Sequence, residues 1–260
     1  MNFLLRVAMT AMYDKFAAFY DLEYGHKEDD LDFYLSLAQQ YGAPVLEIGA
    51  GTGRISMLLA EAGYEVVGMD NSMPMLKQAA QNISTLPDNE QNSIKLVLGD
   101  MRSFSLEERF PLCIVPFRAF LHNQTQEEQL QTLQCIYDHL TPSGVLAIDV
   151  FVPLYHVIEN SAWDDEINQD ELADPEAGVS ISCHIEHNPA IQVLAIQNTY
   201  RQDGKKDKIC KMKYRYVFRY EMELLLKLAG FEVIQVLGSF EKAPYNYFSG
   251  TAIFLARKRA

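Results

Sequence analysis

Val45-Leu-Glu-Ile-Gly-Ala-Gly-Thr-Gly-Arg-Ile55 is the stretch whose reading decides the fold. Pro44 to Ile48 is an apolar run of strand length, and Ile55 to Ala62 repeats apolar residues at helical spacing. Between them stand three glycines at alternate positions, Gly49, Gly51 and Gly53. Glycine lets the backbone turn tightly there and lets a ligand approach without meeting a Cβ. The helix that follows presents N–H groups suited to a carboxylate or a phosphate. The G-x-G-x-G spacing departs from the G-x-G-x-x-G of dinucleotide loops, and an acid, Glu47, sits in the strand just before it.

Working outward, Tyr64 to Met69 reads as a second strand ending at Asp70, where a carboxylate suits the hydroxyl pair of a ribose. Ser72 is placed to cap the next helix, with Pro74 in its first turn and Met75 to Ala80 continuing it. Ser84 to Ser93 is polar and reads as a surface linker. Ile94 to Leu98 is a third strand, closed by Gly99-Asp100-Met101. A fourth, Leu112 to Val115, runs into Pro116-Phe117-Arg118-Ala119-Phe120-Leu121-His122-Asn123. Thr125 to His139 is an amphipathic helix, Thr141 to Gly144 a turn, and Val145 to Val152 a fifth strand.

Upstream, Tyr13, Phe16, Phe19, Tyr20 and Tyr24 recur at helical spacing, and Asp32 to Tyr41 reads as a second helix. Downstream, the acidic segment Pro153 to Glu176 reads as a solvated loop. Three alternating stretches follow, Val179 to His187, Gln192 to Arg201 and Ile209 to Phe218, with turns at Asn188-Pro189 and Asp203-Gly204. A helix over Arg219 to Ala229 stops at Gly230, and Phe231 to Leu237 and Thr251 to Arg257 are the last strands.

These residues together resemble the class I S-adenosylmethionine (SAM)-dependent methyltransferases of small molecules, including nucleotide-amino-sugar and glycine N-methyltransferases. The likeness runs over roughly Tyr13 to Lys258. It implies a doubly wound, mostly parallel seven-stranded α/β sheet with an inserted antiparallel sheet. The expected divisions are a helical lid (1–42), a SAM-binding core (43–152), a loop and sheet insert over the acceptor site (153–218), and a C-terminal helix with closing strands (219–260). The resemblance assigns Tyr13, Glu47, Gly49, Ala50, Gly51, Arg54, Asp70, Asn71, Met75, Asp100, Met101, Pro116 and Phe117 to the cofactor, with Arg54 pairing to its methionyl carboxylate. His122 would face the acceptor amine, with an ordinary pKa near 6.5 to take its proton, and Tyr20 or Tyr24 would orient that acceptor.

The implied function is methyl transfer to a small molecule, at an amine nitrogen first and at oxygen second. The segment after the fourth strand lacks the [DN]-P-P-[YF] run of nucleobase methyltransferases. Two other classes remain. A dehydrogenase on the same sheet is disfavoured by the glycine spacing and by the absence of a Tyr-x-x-x-Lys at Tyr13, Tyr137 or Tyr155. A SAM-binding module without catalysis is compatible with the acids present.

A net charge of −13 repels phosphate backbones, so nucleic acid is not an expected partner. Lys205, Lys206 and Lys208 form a local exception that reads as a solvated hairpin turn. The four cysteines lack metal-knuckle spacing, and no metal site is expected. No apolar run reaches membrane-spanning length, and Arg6 interrupts the Phe3-Leu4-Leu5 patch, so a cytoplasmic enzyme without a signal peptide is expected. An edge strand of the insert offers pairing across a homodimer.

Overall fold

The computed structural model describes residues 16–153, 158–167 and 171–259. Its strands in chain order are β1 (Val45–Ile48), β2 (Val66–Asp70), β3 (Ile94–Leu98), β4 (Phe110–Val115), β5 (Leu140–Phe151), β6 (Ala162–Ile167), β7 (Val179–Asn188), β8 (Val193–Gln202), β9 (Lys208–Arg215), β10 (Phe231–Leu237) and β11 (Thr251–Lys258). Its α-helices are α1 (16–24), α2 (Leu31–Tyr41), α3 (Arg54–Glu61), α4 (Met73–Ile83), the short α5 (Asp88–Gln91), α6 (Gln126–His139) and α7 (Arg219–Leu228).

One sheet has the order β10-β11-β5-β4-β1-β2-β3. β1 pairs in parallel with both β2 and β4, and β11 runs antiparallel to both its neighbours. All four residues of β1 are buried, as a central strand covered on both faces requires. One apolar layer joins Leu46, Ile48 and Phe254 to Leu133 and Ile136 of α6 and Met222 and Leu225 of α7. The opposite layer joins Val45, Val66 and Ile114 to Phe33 and Leu37 of α2 and Leu59 of α3. The chain leaves β1 toward β2 and β3, then returns to place β4 on the other side. Connections therefore part at the C-terminal ends of β1 and β4, which is where open α/β sheets take their ligands.

The second sheet, β6-β7-β8-β9, is antiparallel throughout. It has its own core, in which Ile181, Tyr200 and Met212 pack on Phe16 of α1, with Phe19 and Tyr20 alongside. The insert thereby rests on α1, and α1 rests on the glycine loop.

Three details correct the sequence reading. The acidic segment contains β6, making the insert four-stranded; Asp164, Asp165 and Glu166 are exposed on this edge strand, so it has no apolar alternation to detect. The Thr141–Gly144 turn is absorbed into β5 as an irregularity, with Ser143 at φ 63° and a break in register opposite Phe110 and Leu112. The Ser84–Ser93 linker holds the single turn α5. Tyr13 and the Phe3-Leu4-Leu5 patch lie outside the described residues.

Candidate functional site

The glycine loop turns as its sequence requires. Gly49 has φ 77°, and a Cβ built there would sit 2.6 Å from the Ala119 Cβ. Any side chain at Gly49 would push away the segment that follows β4. Gly51, at φ 57°, faces the Tyr20 ring of α1, which lies 3.9 Å from the position a Cβ would take. Across the loop Asp70 closes β2. Its Oδ2 accepts the Gly51 N–H at 2.9 Å and its Oδ1 the Ser72 N–H at 2.8 Å. Burial raises the Asp70 pKa, and backbone donors from Ser72, Gly51 and Asn71 oppose that rise.

These groups surround a cleft at the switch point of the sheet. Gly49, Gly51, Asp70, Asn71 and Met75 line one side, and Met101, Pro116, Phe117 and His122 the other. Tyr20 and Tyr24 of α1 close the top, beside Phe16 and, from β9, Tyr214. The rings are mutually packed: Tyr20 and Tyr24 lie 5.3 Å apart and Tyr24 and Phe117 4.9 Å apart. Burial raises both tyrosine pKa values far above the usual range, so both hydroxyls stay protonated. An enclosure of aromatic faces and edges favours a desolvated cation.

Four expected cofactor residues stand outside this lining. Ala50 is buried. Glu47 is buried too, its carboxyl accepting from the Ser56 hydroxyl. Arg54 faces other partners: its guanidinium is bidentate to the buried Asp30 at 2.6 and 2.8 Å and also bonds the Lys27 carbonyl at 3.0 Å. That pairing anchors the chain below α1 to the start of α3. Asp100 lines an adjoining groove with Asn71 and Gly99, and Arg102 bonds its two carboxylate oxygens at 2.9 and 2.7 Å.

His122 departs from its expected chemistry. It is the last residue of a short 3-10 turn, Ala119–His122, held 4.6 Å from the Tyr214 ring. Burial pushes its pKa down to about 4, against the raising effect of a hydrogen bond to the Lys213 backbone. The imidazole is therefore neutral at ordinary pH and a weak base. With one ring N–H given to a carbonyl, the other nitrogen of a neutral imidazole carries a lone pair.

Sequence reasoning missed Asp149, at the end of β5. Its carboxylate is 4% exposed, accepts from the Tyr34 hydroxyl, and holds the Phe117 and Arg118 N–H groups at 2.7 and 3.3 Å. Phe117 and Arg118 are consecutive non-glycine residues at φ 51° and 66°. Their two N–H groups converge on one anion as a small nest. Asp149 thus sets the turn that brings Phe117 into the cleft. An aspartate inside an otherwise apolar strand was the available signal.

Glu47 yields a measurable consequence. Burial raises its pKa to about 7, with Ser56 and Arg54 opposing the shift. A carboxyl whose folded pKa exceeds its unfolded value stabilises the fold below the unfolded pKa, and that stability is lost as pH rises through the folded value. Stability measured by denaturant titration should fall by about 3 kcal/mol between about pH 4 and pH 8 from this group. Glu47→Gln, which can still accept from Ser56, should remove that slope.

A mostly parallel sheet with this strand order, a G-x-G-x-G loop after β1 and an acid closing β2 agree with the Rossmann-like methyltransferase class. Residues 45–144 match the family model described as a methyltransferase domain. The cypemycin N-terminal methyltransferase of a Streptomyces species is 26% identical over 79% of each chain. The glycine/sarcosine N-methyltransferase of Aphanothece halophytica is 31% identical over 45% of this chain and 44% of its own. Among solved structures, the CcbJ methyltransferase from Streptomyces caelestis superposes with a TM-score of 0.80 at 22% identity, covering 91% of this chain and 98% of that one. The chain is a SAM-dependent methyltransferase. Among the described residues, no helix is long and apolar enough to cross a membrane.

Proposed function

We propose that this enzyme transfers the methyl group of SAM to an amine nitrogen of a small molecule held under α1. Asp70 would hold the ribose hydroxyls, Asn71, Gly99 and Met101 would receive the adenine, and Gly49 and Gly51 would receive the methionine portion. Because Tyr20 rests against Gly51, α1 lifts to admit the cofactor and closes over it. The acceptor then enters between Tyr24, His122 and Tyr214.

The observation that carries the nitrogen assignment is the neutral His122 in an aromatic enclosure. An alcohol needs a strong base to become a nucleophile, and a histidine with a pKa of about 4 is a poor one. A neutral amine is already nucleophilic; it needs desolvation, alignment with the sulfonium and a hydrogen-bond acceptor for its N–H. The lone pair of His122 supplies that acceptor. The related N-methyltransferases support the same reading by their names.

Release of S-adenosylhomocysteine, followed with matched sets of small amines and alcohols, tests the proposal. Amine-dependent release is expected, and release with alcohols alone would refute it. His122→Ala should lower turnover about 10- to 100-fold while leaving SAM affinity unchanged. Because His122 is already neutral above about pH 4, its removal should not alter the shape of the rate profile near neutrality. Full turnover in the variant would remove His122 from the chemistry.

A further inference from the structure

Two seams hold α1 in place, and they differ. Toward the insert, α1 is tightly packed and bonded. Phe16, 3% exposed, belongs to the insert's own core with Leu172, Tyr200 and Met212. Phe19 stacks on Tyr200 with ring centres 4.3 Å apart, and the Lys208 ammonium of β9 lies 5.0 Å from the Phe19 ring. The buried Glu23 carboxylate accepts the Tyr200 hydroxyl at 2.6 Å, and the Leu22 carbonyl accepts the Ala173 N–H at 2.8 Å. Lifting α1 away from the insert would take the Tyr200 hydroxyl from Glu23 and open an apolar core to water.

Toward the core the seam is hollow. A pocket lined by Tyr20, Asp21, Thr52, Arg54 and Asn82 lies between α1 and the helices α3 and α4. A side-chain hydrogen bond spans it, Asn82 Nδ2 donating to Asp21 Oδ2 at 3.0 Å. Above the cleft, Tyr20 and Tyr24 meet the core through edge contacts with the Phe117 ring. Polar ties from the insert itself to the core gather at the far end of β9. Arg215, 7% exposed, bonds Gln129 of α6 at 2.8 Å and Glu221 of α7 at 2.7 Å, and the Lys213 carbonyl accepts the Gln124 amide. Arg215 pairs with Val193 and Lys208 with Tyr200, so the α1 contact lies about 23 Å along the sheet from this knot.

From this asymmetry we infer that α1 and the four-stranded insert move as one jaw, turning about the Arg215 knot and closed on the core by an Asp21–Asn82 latch. The inference rests on SAM entering beneath α1. Entry parts α1 from α4 and leaves the contact between α1 and the insert intact. Tyr214 adjoins the pivot, so its packing on His122 persists while the far end opens. Asp21 and Asn82 are positioning residues, which act by holding Tyr20 and Tyr24 over the cleft.

Spin labels on the full chain at Ser84→Cys, at the end of α4, and Ser180→Cys, on β7, report the separation of core and insert by pulsed electron resonance; both positions are exposed. Cys135 and Cys183, the partly exposed native thiols, are replaced by alanine to keep the labelling specific. Asp21→Ala removes the latch and spares the Asn82 bond to the Thr52 carbonyl. In the unliganded protein it should broaden the distances toward longer values, and saturating SAM should narrow them again. It should also speed SAM release about 3- to 10-fold, as loss of one hydrogen bond implies. Ala18 and Lys208 line one outer pocket across the other seam. A reversible thiol tether between Ala18→Cys and Lys208→Cys should therefore leave SAM entry and release within about threefold of the untethered rates. A core–insert distance unmoved by Asp21→Ala, or a tether that blocks SAM entry, would overturn the jaw. If the unaltered protein takes up no SAM, the cofactor reading fails, and the unliganded Asp21→Ala comparison still decides the jaw.

Discussion

Asp70→Ala is expected to weaken SAM binding by about 100-fold or more, read by calorimetry on the purified protein. A carboxylate has about four lone-pair sites. Backbone N–H groups of the glycine loop and of the Ser72 cap already occupy some of them. The remainder point into the cleft, where two ribose hydroxyls would each add a hydrogen bond to a charged group, worth about 1.5–3 kcal/mol apiece. Alanine removes those bonds and also releases Gly51, so the loop under the methionine portion loses its anchor. Asp70→Asn, which keeps an acceptor oxygen but no charge, should fall between the two. Affinity for SAM within threefold of the unaltered protein would sink the ribose role.

Asp149→Ala should be the most destabilising single change near the site. It leaves the Tyr34 hydroxyl and the Phe117 N–H without the buried anion they share, and the left-handed pair Phe117–Arg118 without its clamp. Removing one member of a buried charged network typically costs about 3–5 kcal/mol. For a chain of this size that lowers Tm by about 10 °C. Part of the loss is offset because burial raises the Asp149 pKa, so the native carboxylate is itself costly to hold. Turnover should fall further than stability accounts for, since Phe117 would leave the cleft. A melting curve and rate like those of the unaltered enzyme would show that the turn holds its shape without Asp149.

What was legible in the sequence is local in the chain. The glycine loop, the acid at the end of β2, the Ser72 cap and the aromatic run of α1 announce themselves within a few residues, because turn, cap and strand-end chemistry is set by neighbours. The strand positions followed from the same punctuation. What was not legible depends on distant partners. Arg54 looked available for a carboxylate until Asp30, a buried acid 24 residues upstream, claimed it. His122 carries an ordinary pKa in sequence, and only burial beneath β9 and Tyr214 makes it a weak base. Tyr214 and Tyr200 carry no local signal, because their place is set by the contact between the insert and α1. β6 escaped notice since its exposed acids carry no periodic signal, its pairing being made by the backbone.

The residues of the cleft rest on one claim, that it is built for an adenosyl sulfonium and not for a nicotinamide dinucleotide. Parallel calorimetric titration of the full chain with SAM, S-adenosylhomocysteine and NAD tests it most directly. Saturable binding of the two adenosyl sulfur compounds, lost in Asp70→Ala, with no heat from NAD, is the predicted result. Binding of NAD with none of SAM would contradict it.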